Sequence, residues 1–301
     1  MNIVLATDNG YIQHCAVTMT SIVCHNQNVN FYIVTESLSE ENKKILGDIA
    51  SKANCTLSYC YVDSSIVSQL PMPSDNTLSH ISVATYYRLF LAELLPENVD
   101  KVLYLDCDII VRGSLEPLWN TDISNFANAA VFQHDSAMTQ FCLDRLRIPN
   151  RDGYFNAGMQ LLNISYWRNN KIQSAFMDYL RHNRSNIFFH DQDIMNAVLH
   201  GNTLKLSMHW NMFLSKRPTK EISVLGNMVD LQTLQDVWDN SVIIHYTSSI
   251  KPWKFMCNHP LTHLYYEYLS KTVFKGYKPA FDKKMLWYRI KVIICKLIGR
   301  G

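Results

Sequence analysis

Lys101-Val-Leu-Tyr-Leu-Asp106-Cys-Asp108 is the stretch whose reading decides the fold. A short apolar and aromatic run of this kind reads as a buried strand, and it ends in two carboxylates one residue apart. In extended chain, residues i and i+2 share a side, so Asp106 and Asp108 converge while Cys107 turns into the sheet. Two carboxylates beside a buried strand need a cation or hydrogen-bond donors. Together they suit a hard divalent ion that keeps positions open for phosphate oxygens.

Outward from this strand, β-branched and aromatic runs alternate with amphipathic stretches. That is the pattern of an α/β fold with crossover helices around a mainly parallel sheet. Upstream, residues 2–7, 29–35 and 56–62 read as strands, and 11–25 as a helix. Ser37-Leu-Ser-Glu40 resembles a capping box opening a helix through about residue 53. Residues 71–76 read as a loop and 83–95 as a helix stopped by Pro96. Downstream, 129–132, 158–162 and 242–244 are expected strands, and 166–182 and 191–200 expected helices.

The 301 residues are 48% hydrophobic and 18% charged, enough apolar content for a sizeable core and unlike a disordered chain or a nucleic-acid coat. No repeat or linker breaks the pattern, so one domain is expected over residues 1–258, followed by a helical C-terminal region, 259–301. The formal charge of +2 conceals a division. Six bases and no acid lie between Lys283 and Gly301, which leaves 22 bases against 26 acids, a net −4, for residues 1–282. The opening Met1-Asn-Ile-Val-Leu-Ala-Thr-Asp8 is strand-like rather than a basic, apolar leader, and no stretch approaches the roughly 18 apolar residues of a spanning helix. A cytoplasmic location is therefore expected. The eight cysteines form no Cys-x-x-Cys pair and are read as reduced thiols.

Three polar groups fall at the carboxyl ends of expected strands: Asp8, the Asp106/Asp108 pair, and His245. In open α/β sheets ligands bind outside the carboxyl ends of strands, so all three can face one site. An imidazole added to two carboxylates favours Mn²⁺ over Mg²⁺. His245 alone is more often a core or surface histidine. Lys251 follows six residues later, where a cation can neutralise a phosphate leaving group. Asp191-Gln192-Asp193 opens an expected helix, where acids also serve as caps. A phosphatase of the haloacid-dehalogenase type also uses Asp-x-Asp after an apolar strand, but Ile110 stands where a small residue is normal and the pair comes some hundred residues into the chain. A nucleotidyltransferase would want a Gly-rich basic triphosphate loop that Asp8-Asn-Gly-Tyr11 lacks. A sugar-nucleotide-binding protein without catalysis is the alternative from another class.

Six ordered segments resemble glycosyltransferase family 8, in particular its bacterial lipooligosaccharide and lipopolysaccharide α-galactosyltransferases and α-glucosyltransferases. They are Ile3-Val-Leu-Ala-Thr-Asp8-Asn-Gly-Tyr11, His80-Ile-Ser-Val-Ala-Thr-Tyr-Tyr-Arg88-Leu, Lys101 to Asp108, Tyr154-Phe-Asn156-Ala-Gly158, Asp191-Gln192-Asp193-Ile, and His245-Tyr-Thr-Ser-Ser-Ile-Lys251-Pro-Trp253. The resemblance implies a GT-A nucleotide-sugar-binding fold and retaining transfer of galactose or glucose from a UDP-hexose to a glycolipid or oligosaccharide acceptor. A protein or other glycan acceptor is the alternative. It implies Asp106, Asp108 and His245 as ligands of Mn²⁺, with Mg²⁺ possible. Asp8 and Tyr11 would contact the uracil and ribose and Lys251 the diphosphate, with Ala6, Thr7, Cys107 and Ser248 also on the donor. Arg88, Asn156, Ala157, Asp191 and Gln192 would hold the donor sugar, and His80 would face the acceptor.

The sequence departs from the family pattern at three places. Gly10 replaces a polar residue, Ser248 replaces a glycine, and the acid expected at the sugar pocket is either Gln133 or a shifted Asp135. Gln192 is the family's candidate beside the anomeric carbon; because an amide is a poor nucleophile, same-face attack is favoured, with Asp191 the alternative nucleophile. Residues 283–301 interleave bases with Trp287 and aliphatic residues, as in a helix lying on an anionic inner leaflet.

Overall fold

The computed structural model describes residues 1–68, 70–71, 83–249, 251–255, 257–281, 283 and 286–287. The strands are β1 (Asn2–Ala6), β2 (Asn30–Thr35), β3 (Thr56–Tyr61), β4 (Lys101–Leu105), β5 (Ile109–Val111), β6 (Asn128–Phe132), β7 (Phe155–Asn163), β8 (Thr203–Lys205), β9 (Ile222–Val224), β10 (Asn227–Val229) and β11 (Ile243–His245). Seven form one sheet, ordered β3-β2-β1-β4-β7-β6-β8. From β3 to β4 all pairings are parallel. β7 runs antiparallel to both β4 and β6, and β8 returns parallel to β6. The sheet is therefore mainly parallel, as expected, with one long reversed strand beside its centre.

Both faces of the sheet are covered, which is why its central strands read as unbroken apolar runs. Ile3, Leu5, Phe31, Ile33, Leu103 and Leu105 pack with Ile12, Cys15, Met19 and Leu46 on one side. Val4, Val34, Val102 and Tyr104 pack with Tyr86, Leu89, Trp167 and Phe176 on the other. The helix Thr262–Leu269 joins the body through Tyr265, Tyr268 and Leu269, which cluster with Val17, Ile110 and Trp253. The seven described cysteines are free thiols. Among the described residues, no helix is long and apolar enough to cross a membrane.

Three expected elements differ. The helix after β2 is Glu40–Lys52 and its cap is Ser39, not Ser37: Ser39 accepts from the Asn42 amide at 3.2 Å, three residues on. The stretch 166–182 is two helices, Ile164–Asn169 and Ile172–Asn183, broken where Lys171 takes a left-handed φ of 51°. Residues 83–95 begin as a 3₁₀ helix, Val83–Phe90, before one α turn, Leu91–Leu94. A 3₁₀ helix eclipses residues i and i+3, and here it stacks Thr85 over Arg88 so that both reach the Asp191 carboxylate. His80, all but Pro71 of the expected 71–76 loop, and most of the 283–301 tail lie outside the described residues.

Candidate active site

The Asp106-Cys-Asp108 segment is a turn rather than extended chain. It joins β4 of the large sheet to β5, which pairs with β11 in a separate two-stranded sheet. Each end is claimed by a different partner. The Asp106 amide donates to Gly158 O on β7 at 2.8 Å, while the Tyr246 amide, one residue past β11, donates to Asp108 O at 3.1 Å. His245 is the last residue of β11, opposite Ile109, and so not at the end of a main-sheet strand. It reaches the acids because antiparallel pairing sets it beside the residue that follows Asp108.

His245 Nε2 lies 3.0 Å from Asp108 Oδ1 and 3.8 Å from Asp106 Oδ2. One ligand atom from each of the three residues lies within 4.8 Å of the others. Among the described residues, buried Asp108 Oδ1 has no hydrogen-bond partner other than the His245 Nε2 that faces it. Gly158 faces the same point: a Cβ there would sit 2.2 Å from His245 Cε1 and 2.5 Å from Asp106 Oδ2, so only glycine leaves room. Two carboxylates, an imidazole aimed at a buried carboxylate oxygen, and a cradle that a methyl group would fill make a set that fits a divalent cation.

Two buried cations face the acids from opposite sides. Arg88 Nη2 binds Asp106 Oδ1 at 2.7 Å, its Nε binds Asp191 Oδ2 at 2.9 Å, and its Nη1 donates to Ala157 O at 2.6 Å. The guanidinium also lies over the Tyr104 ring, 4.3 Å from its centroid, and Tyr104 Oη donates to Asp106 Oδ1 at 3.0 Å. Lys251 Nζ donates to Asp108 Oδ2 and to Tyr246 O, both at 2.6 Å. Burial alone would raise the Asp108 carboxyl, but Lys251 and His245 outweigh it and hold the group well below the ordinary carboxylate range. Asp191 goes the other way: burial pushes it up to about 6 against the pull of Arg88 and Thr85, and the nearby Asp106 charge adds to the rise.

A cavity of about 350 Å³ opens over these groups. It is lined by Ala6, Thr7, Asp8 and Tyr11 from the end of β1 onward, and by Arg88, Asp106, Cys107 and Asp108. Asn156 and Ala157 of β7, with Asp191, Gln192, His245 and Lys251, complete the expected set. Asp8 caps the following 3₁₀ turn through the Tyr11 amide, 3.0 Å from Oδ1. Thr247, not Ser248, stands in the lining. Between the two candidates for the sugar-pocket acid, Gln133 lines the cavity, whereas Asp135 accepts from Ser223 and the Leu225 and Gly226 amides and so closes the β9–β10 turn. Gln192 is fixed by the Ala157 amide at 3.0 Å and by Tyr154 Oη at 3.1 Å.

Thr85, Tyr104, Gly158 and Asn211 were not expected in functional positions. Tyr104 had a signal, since strand alternation puts it on the side of Asp106. Asn211 had none; it is fully buried and its Oδ1 lies 3.0 Å from His245 Nδ1. His14 is a further unexpected neighbour. It stacks on Trp253 at 3.6 Å and 21°, meets Tyr11 edge-on at 4.6 Å, and hydrogen-bonds Tyr265 Oη through Nδ1 at 2.8 Å. That stack ties the Lys251-Pro-Trp253 segment to the first α-helix, Ile12–Val23.

A mainly parallel sheet whose central strand ends in an acidic turn, under a cavity walled by the β1 end and β7, is a GT-A glycosyltransferase fold. A crystal structure of the galactosyltransferase LgtC with donor and acceptor sugar analogues superposes with a TM-score of 0.75 at 24% identity, covering 94% of this chain and 98% of that one. The model described as "Glycosyl transferase family 8" matches residues 2–257, and the chain belongs to that family. It is 26% identical over 283 residues to general stress protein A of Bacillus subtilis (strain 168), covering 90% of this chain and 94% of the relative. It is 27% identical over 293 residues to the lipopolysaccharide 1,2-glucosyltransferase of Escherichia coli (strain K12), covering 96% and 83%.

Two predictions follow from packing around the acids. Gly158→Ala should displace His245 and Asp106 and weaken the binding of a divalent cation, titrated calorimetrically as Mn²⁺ or Mg²⁺, while the far-ultraviolet circular dichroism stays native; undiminished affinity would show that the cradle is not used. His14, held neutral by burial, has its pKa lowered from 6.5 to about 3. An unfolded chain therefore takes up a proton here that the folded one refuses, so the stability present above pH 6.5 is lost as pH falls toward 3. The urea midpoint of His14→Phe, which cannot charge, should fall less steeply than wild type over that range; parallel curves would contradict this.

Proposed function

We propose that this family 8 glycosyltransferase is a retaining, Mn²⁺-dependent hexosyltransferase. It moves galactose or glucose from a UDP-hexose to a saccharide hydroxyl of a lipooligosaccharide or lipopolysaccharide-type acceptor. The observation that carries the reading is one cavity holding the Asp106, Asp108 and His245 ligand set, the buried Lys251 cation, and the Arg88, Asp191 and Gln192 wall. Similarity to a lipopolysaccharide 1,2-glucosyltransferase supports the acceptor class.

In this reading Asp106, Asp108 and His245 hold the ion, which when bound supplies charge neutralisation to the diphosphate. Lys251 offsets the negative charge that builds on the β-phosphate as the bond to the anomeric carbon breaks. Ala6 to Tyr11 carry the nucleotide, Asn156, Ala157 and Gln133 meet the sugar, and His80 faces the acceptor. Both Asp191 oxygens are engaged, one by Thr85 and the other by Arg88, which argues against its attack on the anomeric carbon. Gln192 is an amide held by two neighbours and is a poor nucleophile. We therefore favour attack of the acceptor hydroxyl on the face from which the diphosphate departs, through a short-lived oxocarbenium ion. The basic, apolar tail 283–301 would lay the enzyme on the cytoplasmic face of the membrane, where a glycolipid acceptor resides.

With Mn²⁺ and UDP-galactose or UDP-glucose, the protein should release UDP. Asp108→Ala should lower kcat by at least about 100-fold, equivalent to about 2.7 kcal/mol. Undiminished turnover in EDTA would remove the metal from the mechanism, and saturable binding without UDP release would make the chain a binding protein. Deleting residues 283–301 should reduce co-sedimentation with phosphatidylserine vesicles; equal sedimentation of both forms would count against the membrane role.

A further inference from the structure

His245 has two ring nitrogens, and only one of them faces the acids. Which nitrogen is left to bind a cation depends on where the ring proton sits, and the surrounding hydrogen bonds decide that question from a fixed starting point. The Gly158 backbone N–H can only donate, and it lies 3.1 Å from Asn156 Oδ1, so that atom is the amide oxygen. Asn211 places its own amide 2.9 Å from this oxygen, and the atom facing it must be the NH₂ group. The other end of the Asn211 amide is therefore the oxygen, 3.0 Å from His245 Nδ1. An oxygen acceptor there requires a hydrogen on Nδ1; by the same logic Asp108 Oδ1, 3.0 Å from Nε2, draws a hydrogen to that nitrogen until a cation displaces it. The same logic runs outward, since the Ala157 N–H fixes Gln192 Oε1 at 3.0 Å, and Asn156 Nδ2 donates to that oxygen at 3.3 Å.

We infer that Asn211 is a positioning residue that keeps a hydrogen on His245 Nδ1 and so makes Nε2 the nitrogen offered to the metal. The inference rests on the metal-binding reading proposed above. Asn211 is fully buried, and its side chain is the one link between the ring and Asn156 among the described hydrogen bonds. Hydrogen-bond partners of this kind fix the tautomer and ring orientation of metal-binding histidines. Here the partner does more, because the amide that holds His245 also holds Asn156 in the wall of the cavity. A side chain that only accepts would serve the first role and fail the second.

The test separates the two ends of the relay. In metal-free protein, ¹⁵N-histidine correlation spectra should show a hydrogen on His245 Nδ1, whether or not Asp108 also draws one to Nε2; an Nδ1 without a hydrogen in wild type would overturn the inference whatever the metal does. Asn211→Ala should release the ring and lower Mn²⁺ affinity, measured without donor by titration with electron paramagnetic resonance detection, by about 10- to 100-fold. Asn211→Asp keeps an acceptor for Nδ1–H and should hold Mn²⁺ at least as tightly as wild type, while losing its bond to Asn156 and raising KM for the UDP-hexose. Wild-type affinity in Asn211→Ala would overturn the inference. Absence of Mn²⁺ binding by wild type with a hydrogen on His245 Nδ1 would instead sink the metal reading and leave the Nδ1 assignment standing.

Discussion

Two carboxylates partly withdrawn from water and held within a few ångströms of each other are the constraint around which this molecule is arranged. An isolated buried charge is too costly to keep, so each acid must be met by a cation or a full set of donors. Asp106 is met by Arg88 and Tyr104, and Asp108 by Lys251 and His245. Arg88 and Lys251 lie 18 and 143 positions from the acids they meet, so balancing the charge forces distant parts of the chain together. Buried ion pairs contribute little net stability. The arrangement is better understood as a site that the hydrophobic sheet beneath it has the stability to support.

The acidic turn is also the seam between two sheets. β4 and β5 are separated by only three residues, yet one lies at the centre of the seven-stranded sheet and the other pairs with β11. Asp106 thus takes its position from β7 and Asp108 from the strand carrying His245. The pairing of Lys251 with Asp108 spans 143 positions in sequence, and the segment that carries Lys251 is pinned by the stack of Trp253 on His14. The site is consequently complete only when the C-terminal part of the domain is docked on the first helix, where Tyr265 anchors both His14 and Gln13.

What the sequence reveals, and what it hides, follows the range of the forces involved. The parallel strands are legible because burial on both faces writes an apolar run into each, and the acids are legible because they interrupt such runs at the carboxyl end. The left-handed Lys171 is not legible, since a lysine carries no signal for a positive φ. The 3₁₀ pitch of Val83–Phe90 goes with the contacts of Thr85 and Arg88 to Asp191, about a hundred positions away, whereas the amphipathic pattern alone reads as an α-helix. Ser37 and Ser39 both look like caps; only the register of the turn selects Ser39. Asn211 sits in a stretch without motif or periodicity, and its role comes entirely from two side chains brought to it by β7 and β11.

The difference between the two cations shows how the site divides permanence from responsiveness. Arg88 presents a planar fork whose nitrogens reach Asp106, Asp191, Ala157 O and Thr85 O in fixed directions. Moving it would leave two buried carboxylates unpaired at once, so it acts as a fixed part of the wall. Lys251 is a compact charge on a flexible stem, held by one carboxylate and one carbonyl. Rotation of that stem can re-aim the ammonium at an anion in the cavity, provided another cation takes over the charge of Asp108. A lysine at 251 and an arginine at 88 are therefore not interchangeable: an arginine at 251 would bind Asp108 with a fork too rigid to leave, and a lysine at 88 could not serve Asp106 and Asp191 together.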